Sequence, residues 1–223
     1  MKNFLLFFLL TTSMIGQQTI DNGIDPEGSS AISPYSTTMI VRNAPIDNSI
    51  RGHQYYEEYN SLATVYIDKK RARKCLVRYN AFKDEIEVTE NDKAFNMLKI
   101  DDIEVALDGY AYKLYDYEGG KQFFIVFNEG RYSLGIKAQK KIKAGKQAST
   151  GYETSTPSRY IEVNKYCIID NEKGEIKNVK LKKKEILKVL NKKTEIEKFA
   201  SSKKLSFKKE KDLIKIINYY NSL

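Results

Sequence analysis

At 223 residues and 41% apolar side chains the chain is long enough to bury a sizeable core, which excludes wholesale disorder. Its single histidine, His53, excludes any arrangement that needs two imidazoles, and two cysteines are too few for a scaffold built on disulfides. The net charge of +9 is unevenly placed, with 14 Lys plus Arg against 19 Asp plus Glu in residues 1–130 and 24 against 10 in residues 131–223.

The chain opens with Lys2, an unbroken apolar run from Phe4 to Leu10, and the small residues Thr11, Thr12 and Ser13. A basic head, a short apolar stretch and a small-residue exit are what the secretion machinery reads, so residues 1–16 are expected to be a signal peptide cut near Gly16. The run falls short of the roughly 20 residues a spanning helix needs, and no cysteine follows it to carry a lipid. The expectation is an exported protein, periplasmic or extracellular, with no transmembrane span once the leader is gone. Export moves the targets of the basic C-terminal part away from nucleic acid and towards anionic envelope components or another exported protein.

Residues 17–61 hold three of the four prolines and the turn cluster Asp25-Pro26-Glu27-Gly28, and read as a poorly ordered segment. Thr38–Val41 and Tyr55–Tyr59 are the stretches in it that could dock. From Ala63 onward, short runs rich in Val, Ile, Tyr and Phe alternate with turn residues, the pattern of an antiparallel meander over residues 62–180. The expected strands are 63–67, 74–82, 86–89, 94–100, 103–107, 110–115, 123–127, 131–143, 160–163, 166–169 and 176–179. Cys75, Val77, Tyr79 and Ala81 share one face of the second, and Asp108-Gly109 is a two-residue hairpin turn in which both positions tolerate positive φ. Phe123–Phe127 is apolar on both faces, which calls for cover by another sheet or a helix. In Arg131–Lys143, Tyr132, Leu134, Ile136, Ala138 and Ile142 form a dry face, while Arg131, Ser133, Lys137, Gln139, Lys141 and Lys143 form a cationic one.

After Lys180 the apolar period changes from two to about 3.6. Residues 181–223 are expected to form a cap of about three helices: 185–190, a second opened by a Thr194/Glu197 capping box, and 208–221 with Leu213, Ile216, Ile217 and Tyr220 on one stripe. The fold class is therefore α+β: a curved antiparallel meander, barrel-like or sandwich-like, followed by a helical cap packed on it.

Motifs with chemistry are sparse. Asp84-Glu85 and Asp101-Asp102 read as turn residues rather than paired catalytic acids, because neighbours in a strand face opposite ways and both pairs sit at turns. Asp21–Asp25 lacks the spacing of a calcium loop, and Gly119-Gly120 and Gly145–Gly151 match no phosphate-binding loop, so no metal and no cofactor are expected. Cys75 and Cys167 fit either one disulfide or two small apolar residues buried in separate strands. The lysines of the helical cap lack the arginines that read bases, which argues against a nucleic-acid partner.

The stretch Arg78-Tyr79-Asn80-Ala81-Phe82 running into Lys83-Asp84-Glu85-Ile86-Glu87, the ending Asp212-Leu213-Ile214-Lys215 with Asn218-Tyr219-Tyr220-Asn221, and Ser33-Pro34-Tyr35 together resemble a group of exported, flavobacterial-type proteins of Bacteroidota. The resemblance covers most of the chain after residue 16, with residues 36–60 matching least. It implies export and a meander followed by helices, and it implies no catalytic residue.

The reading favoured by the sequence is an exported, non-catalytic binding module of the cell envelope or extracellular space. Its candidate anion-contact surface is Arg131, Lys137, Lys141 and Lys143 together with the lysine-rich helices. The competing reading is a secreted hydrolase assembled from Arg78, Tyr79, Asn80 and Asp84. A third makes the helices a docking device for another exported protein.

Overall fold

The computed structural model describes residues 39–41, 49–90, 93–149 and 154–223. The expected leader, residues 1–16, lies outside them. Among the described residues the strands are β1 (Met39–Val41), β2 (Ser61–Ile67), β3 (Lys70–Asn80), β4 (Glu85–Glu90), β5 (Lys93–Met97), β6 (Ile103–Ala106), β7 (Ala111–Tyr117), β8 (Gly120–Val126), β9 (Tyr132–Lys137), β10 (Lys140–Lys143), β11 (Arg159–Glu162), β12 (Lys165–Asp170) and β13 (Glu175–Asn178). Three helices follow, α1 (Lys183–Val189), α2 (Lys193–Ser202) and α3 (Glu210–Asn221).

Eleven strands make one antiparallel sheet in the order β1-β5-β4-β3-β2-β6-β7-β8-β9-β12-β13, and β10 with β11 make a separate ribbon. The α+β class is as expected. The sheet is open, with β1 and β13 as edges, but strongly curled. Met97 ends β5 and Ile103 opens β6, with β4, β3 and β2 between them; on a flat sheet they would stand about 19 Å apart across the strands and, because Asn96 is level with Arg78 and Ile103 with Lys70 of β3, about 30 Å apart along them. The link 98–102 contains a turn and could not span that distance, so β5 and β6 are brought together by curvature. One apolar cluster accordingly collects Val65 of β2, Val77 and Tyr79 of β3, Val88 of β4, Phe95 of β5, Val105 of β6, Tyr112 of β7, Phe123 of β8 and Ile136 of β9.

Hairpin turns explain the order. Ile67 pairs with Lys70 across Asp68 and Lys69, whose φ of 50° and 63° give the doubly positive turn that suits strand twist. At Asp108-Gly109 only Gly109 takes positive φ, so this turn is not of the doubly positive kind expected. Both docking stretches of the N-terminal segment do dock: β1 pairs with β5, while Tyr55 bridges to Asn80 and the Tyr56 N–H donates to the Tyr79 carbonyl at 2.9 Å.

Both faces of β8 are buried, but among the described residues the cover is neither a second sheet nor a helix. Phe123 and Ile125 enter the main cluster, while Phe124 and Val126 meet Cys167 and Ile169 of β12, with the Tyr115 and Tyr117 rings standing edge-on to Phe124 at 5.7 and 5.2 Å. The helices cover the next part of the sheet. Ile186, Leu190, Ile196, Leu213, Ile216 and Ile217 close over Leu134 of β9 and Ile168 of β12, removing those stripes from water. The Thr194/Glu197 capping box does not form. α2 starts two residues earlier, behind Lys192 in a left-handed conformation (φ 56°), and Glu197 instead pairs with Lys183 at 3.1 Å, tying α2 to α1.

Asn221, the last residue of α3, is bound to the start of β9. Its Oδ1 accepts the Tyr132 N–H at 2.9 Å and its Nδ2 donates to the Tyr132 carbonyl at 2.8 Å, so one amide side chain completes the backbone of β9 where β8 has ended. Gly130 makes room for it: at φ 108° it has a backbone that L side chains rarely adopt, and a Cβ there would lie 2.6 Å from Asn221 Nδ2.

Candidate functional site

The polar centre of the molecule is built on the β3–β4 turn. Asp84 closes that turn with φ 58°, a conformation Asp tolerates better than most residues, and this aims its carboxylate across the end of the curled sheet towards β8 and β9. Oδ1 accepts the Tyr79 hydroxyl at 2.6 Å, the Lys137 ammonium at 2.7 Å and the Phe123 N–H at 3.2 Å, and Oδ2 pairs with Lys99. Four donors use the acceptor capacity of one carboxylate.

The reason for this convergence lies in the ladder. β8 and β9 pair at Ile125 with Ile136 and at Val126 with Gly135; in the same register the next rung would join Phe123 to Ala138. The strands diverge there, and side chains supply the missing bonds. Asp84 takes the Phe123 N–H, Lys137 donates to the Phe123 carbonyl at 3.1 Å, and the Tyr79 hydroxyl lies 3.4 Å from the Ala138 carbonyl oxygen. Lys137 is 2% exposed; burial pushes its pKa below the ordinary lysine value, and Asp84 opposes that shift. Tyr79 is pushed upward by burial first and by the Asp84 charge second, which makes it a donor and not a base. A cavity of about 320 Å³ adjoins the cluster, lined by Lys83, Asp84, Gln122, Lys137, Gln139 and Lys141 among others. Its carboxylate and its buried amine are already spent on each other and on the backbone, the arrangement of a structural ion pair.

The four residues of the hydrolase reading are not brought together. Alternation along β3 sends Arg78 and Asn80 to the face opposite Tyr79. There Glu87 accepts Arg78 Nη2 at 3.2 Å and Asn80 Nδ2 at 3.1 Å, the Arg78 guanidinium stands 3.5 Å over the Tyr55 ring, and Asn80 Oδ1 accepts the Lys83 N–H at 3.1 Å. His53 stacks on Tyr55 with ring centroids 6.3 Å apart and joins neither network. Among the described residues no group of three His, Cys, Asp or Glu could hold a metal ion, and no helix is long and apolar enough to cross a membrane.

Cys75 and Cys167 carry free thiols, so the disulfide alternative is not realised. They stand on β3 and β12, with five strands between them in the sheet, in different apolar clusters. Burial raises the pKa of both, that of Cys167 to about 12, which leaves them inert.

The candidate surface of Arg131, Lys137, Lys141 and Lys143 is also corrected. The expected single strand over 131–143 breaks after Lys137, where the chain leaves the sheet: the Gln139 N–H goes to Asn164 Oδ1 at 3.0 Å and the Lys140 N–H to the Ala81 carbonyl at 3.0 Å. Lys137 therefore faces inward. Arg131 is exposed but held by Glu172 at 2.9 Å and Asp170 at 3.6 Å. Lys141 and Lys143 are exposed on β10 and make no ion pair among the described residues. The helical region 180–223 carries fourteen lysines against five acidic residues and no arginine; among the described residues, carboxylate side chains pair only Lys183 and Lys188 of these lysines.

Compared with protein-family models, with curated proteins and with solved structures, the chain matches none.

Proposed function

We infer that this is an exported, non-catalytic binding module that holds anionic material of the cell envelope or extracellular space on its basic C-terminal part. The observation that carries the reading is the display of lysines on the helical cap. Lys182, Lys184, Lys193, Lys198, Lys203, Lys204, Lys208, Lys209, Lys211 and Lys215 are all exposed and lack a carboxylate within ion-pair distance among the described residues. Such a field attracts anions and steers their approach without specifying a sequence or a shape. The absence of a free acid–base pair in the Asp84 cluster favours binding over hydrolysis. The signal-like residues 1–16 and the resemblance of 78–87 and 212–221 to exported Bacteroidota proteins support the compartment.

The test is sedimentation of the purified chain with an envelope preparation from the producing cells. The protein is expected in the pellet at about 50 mM salt and in the supernatant at about 500 mM, since surface charge is screened over a few ångströms at high ionic strength. Equal partition at both, or recovery of the native protein from cytosol with Met1 still attached, overturns the reading.

A further inference from the structure

The β10–β11 ribbon holds a row of like charges that nothing in the fold explains. Lys143 lies directly opposite Arg159, and Arg159 is bridged in turn to Arg51, with the Arg51 N–H on the Ser158 carbonyl at 2.8 Å and the Tyr160 N–H on the Arg51 carbonyl at 3.0 Å. Three cations thus stand side by side on adjacent strands, about 4.8 Å apart at the backbone, on one face. Lys141, two residues along β10, adds a fourth to that face. All four are exposed, and among the described residues none has an ion-pair partner. The nearby Glu162 is on the other face and pairs with Lys140 at 3.3 Å.

Like charges directly opposite in a sheet repel, so this row costs stability. Nor does the ribbon recover much of the cost by burial: five of its eight residues are exposed, and it stands outside the main sheet. A unit that adds no core and keeps four unpaired cations in register is built for something that brings the negative charge.

We propose that Arg51, Arg159, Lys143 and Lys141 form a binding row for a linear anionic polysaccharide, with the two guanidiniums gripping sulfate or carboxylate groups bidentately. This rests on the anion-binding reading above and gives it a place and a ligand class. A membrane surface fits less well, because the exposed apolar residues of the ribbon region, Phe82 and Ile142, lie with Tyr160 on the opposite face and could not insert while the cations touch headgroups. A single-stranded nucleic acid would want aromatic rings beside the cations, and Tyr160 is on that same opposite face.

The experiment measures binding of the full chain to dextran sulfate and to polygalacturonate, with phosphatidylglycerol vesicles and an oligothymidylate as separate arms. The double variant Arg159→Gln/Lys143→Gln and the single variant Arg51→Gln change exposed side chains only, and thermal unfolding at or above the wild-type temperature verifies their fold. For at least one polysaccharide the double variant is expected to weaken binding by at least about tenfold. A matched pair on the cap, Lys203→Gln/Lys204→Gln, is expected to cost less than about threefold. The preferred polysaccharide tells sulfate from carboxylate. Equal losses in ribbon and cap variants, or affinity for vesicles or oligonucleotide that exceeds both polysaccharides and depends on Arg159, overturn the row and leave the broader reading standing. No wild-type binding in any arm overturns both.

Discussion

Asp84 and Lys137, 53 positions apart, meet at 2.7 Å in the gap where β8 and β9 diverge, and between them they bind the N–H and the carbonyl of Phe123. A charged pair thus does the work of a backbone rung at the end of a curled sheet. Removing one partner alone leaves the other buried without its counter-charge. Asp84→Ala should therefore cost about 3 kcal/mol or more in a urea titration. The double variant Asp84→Ala/Lys137→Met should lose less than Asp84→Ala alone, because the uncompensated ammonium has gone. A double variant at least as unstable as the single would show that the pairing is not what matters there.

The contact between Gly130 and Asn221 makes a second, local test. Gly130→Ala should destabilise by more than about 1 kcal/mol, since positive φ and a methyl group 2.6 Å from the Asn221 amide act together. Adding Asn221→Ala should recover the steric part, so the two changes are expected to be less than additive in chemical denaturation.

Stability should fall on the alkaline side. Burial raises Cys167 to about 12 and moves Tyr79, Tyr110, Tyr112 and Tyr115 above their ordinary value of 10.0. Each keeps its proton in the folded state after the unfolded chain has lost it. Their stabilisation is whole below about pH 9 for the thiol and pH 10 for the phenols, and is lost above those points at about 1.4 kcal/mol per pH unit per group. Lys137, with its lowered value, contributes in the opposite sense as pH approaches 10.5, a single group against these several. Urea midpoints measured between pH 8 and 11 should decline ever more steeply, and phenolate absorbance of the buried rings should appear only with unfolding.

Both thiols are buried and unbonded, which a thiol reagent reads directly. The native protein should react slowly, and in denaturant without reductant two thiols per chain should react at once. Finding none in denaturant would restore a bridge between Cys75 and Cys167.

Much of the fold was legible because it follows from period and turn chemistry. Alternation placed Cys75, Val77 and Tyr79 on the inner face of β3, and the 3.6-residue stripe of Leu213, Ile216 and Ile217 placed α3 on the core. The start of β3 at Lys70 was not legible, since Lys70-Arg71-Ala72-Arg73 carries no strand formers and is ordered by its pairing with β2. Nor was the break after Lys137, where the alternation runs on unbroken while the chain changes partners from β12 to the Ala81 carbonyl and then to β11. The same limit hid the polar sites. Asp84 was read correctly as a turn residue, but its meeting with Lys99 and Lys137 is a property of curvature, which no local pattern encodes. Arg51 and Arg159 fall in stretches of weak periodicity and become one row only through a bridge spanning more than a hundred residues.

Salt dependence tests anion binding by the C-terminal part most directly. The affinity of the full chain for whichever of dextran sulfate and polygalacturonate it prefers should drop by at least about tenfold as salt rises from about 0.05 to 0.3 M, because ions condensed on the polymer are released when lysines and arginines replace them. An affinity that stays level across that range, or no binding even at the low end, would contradict it.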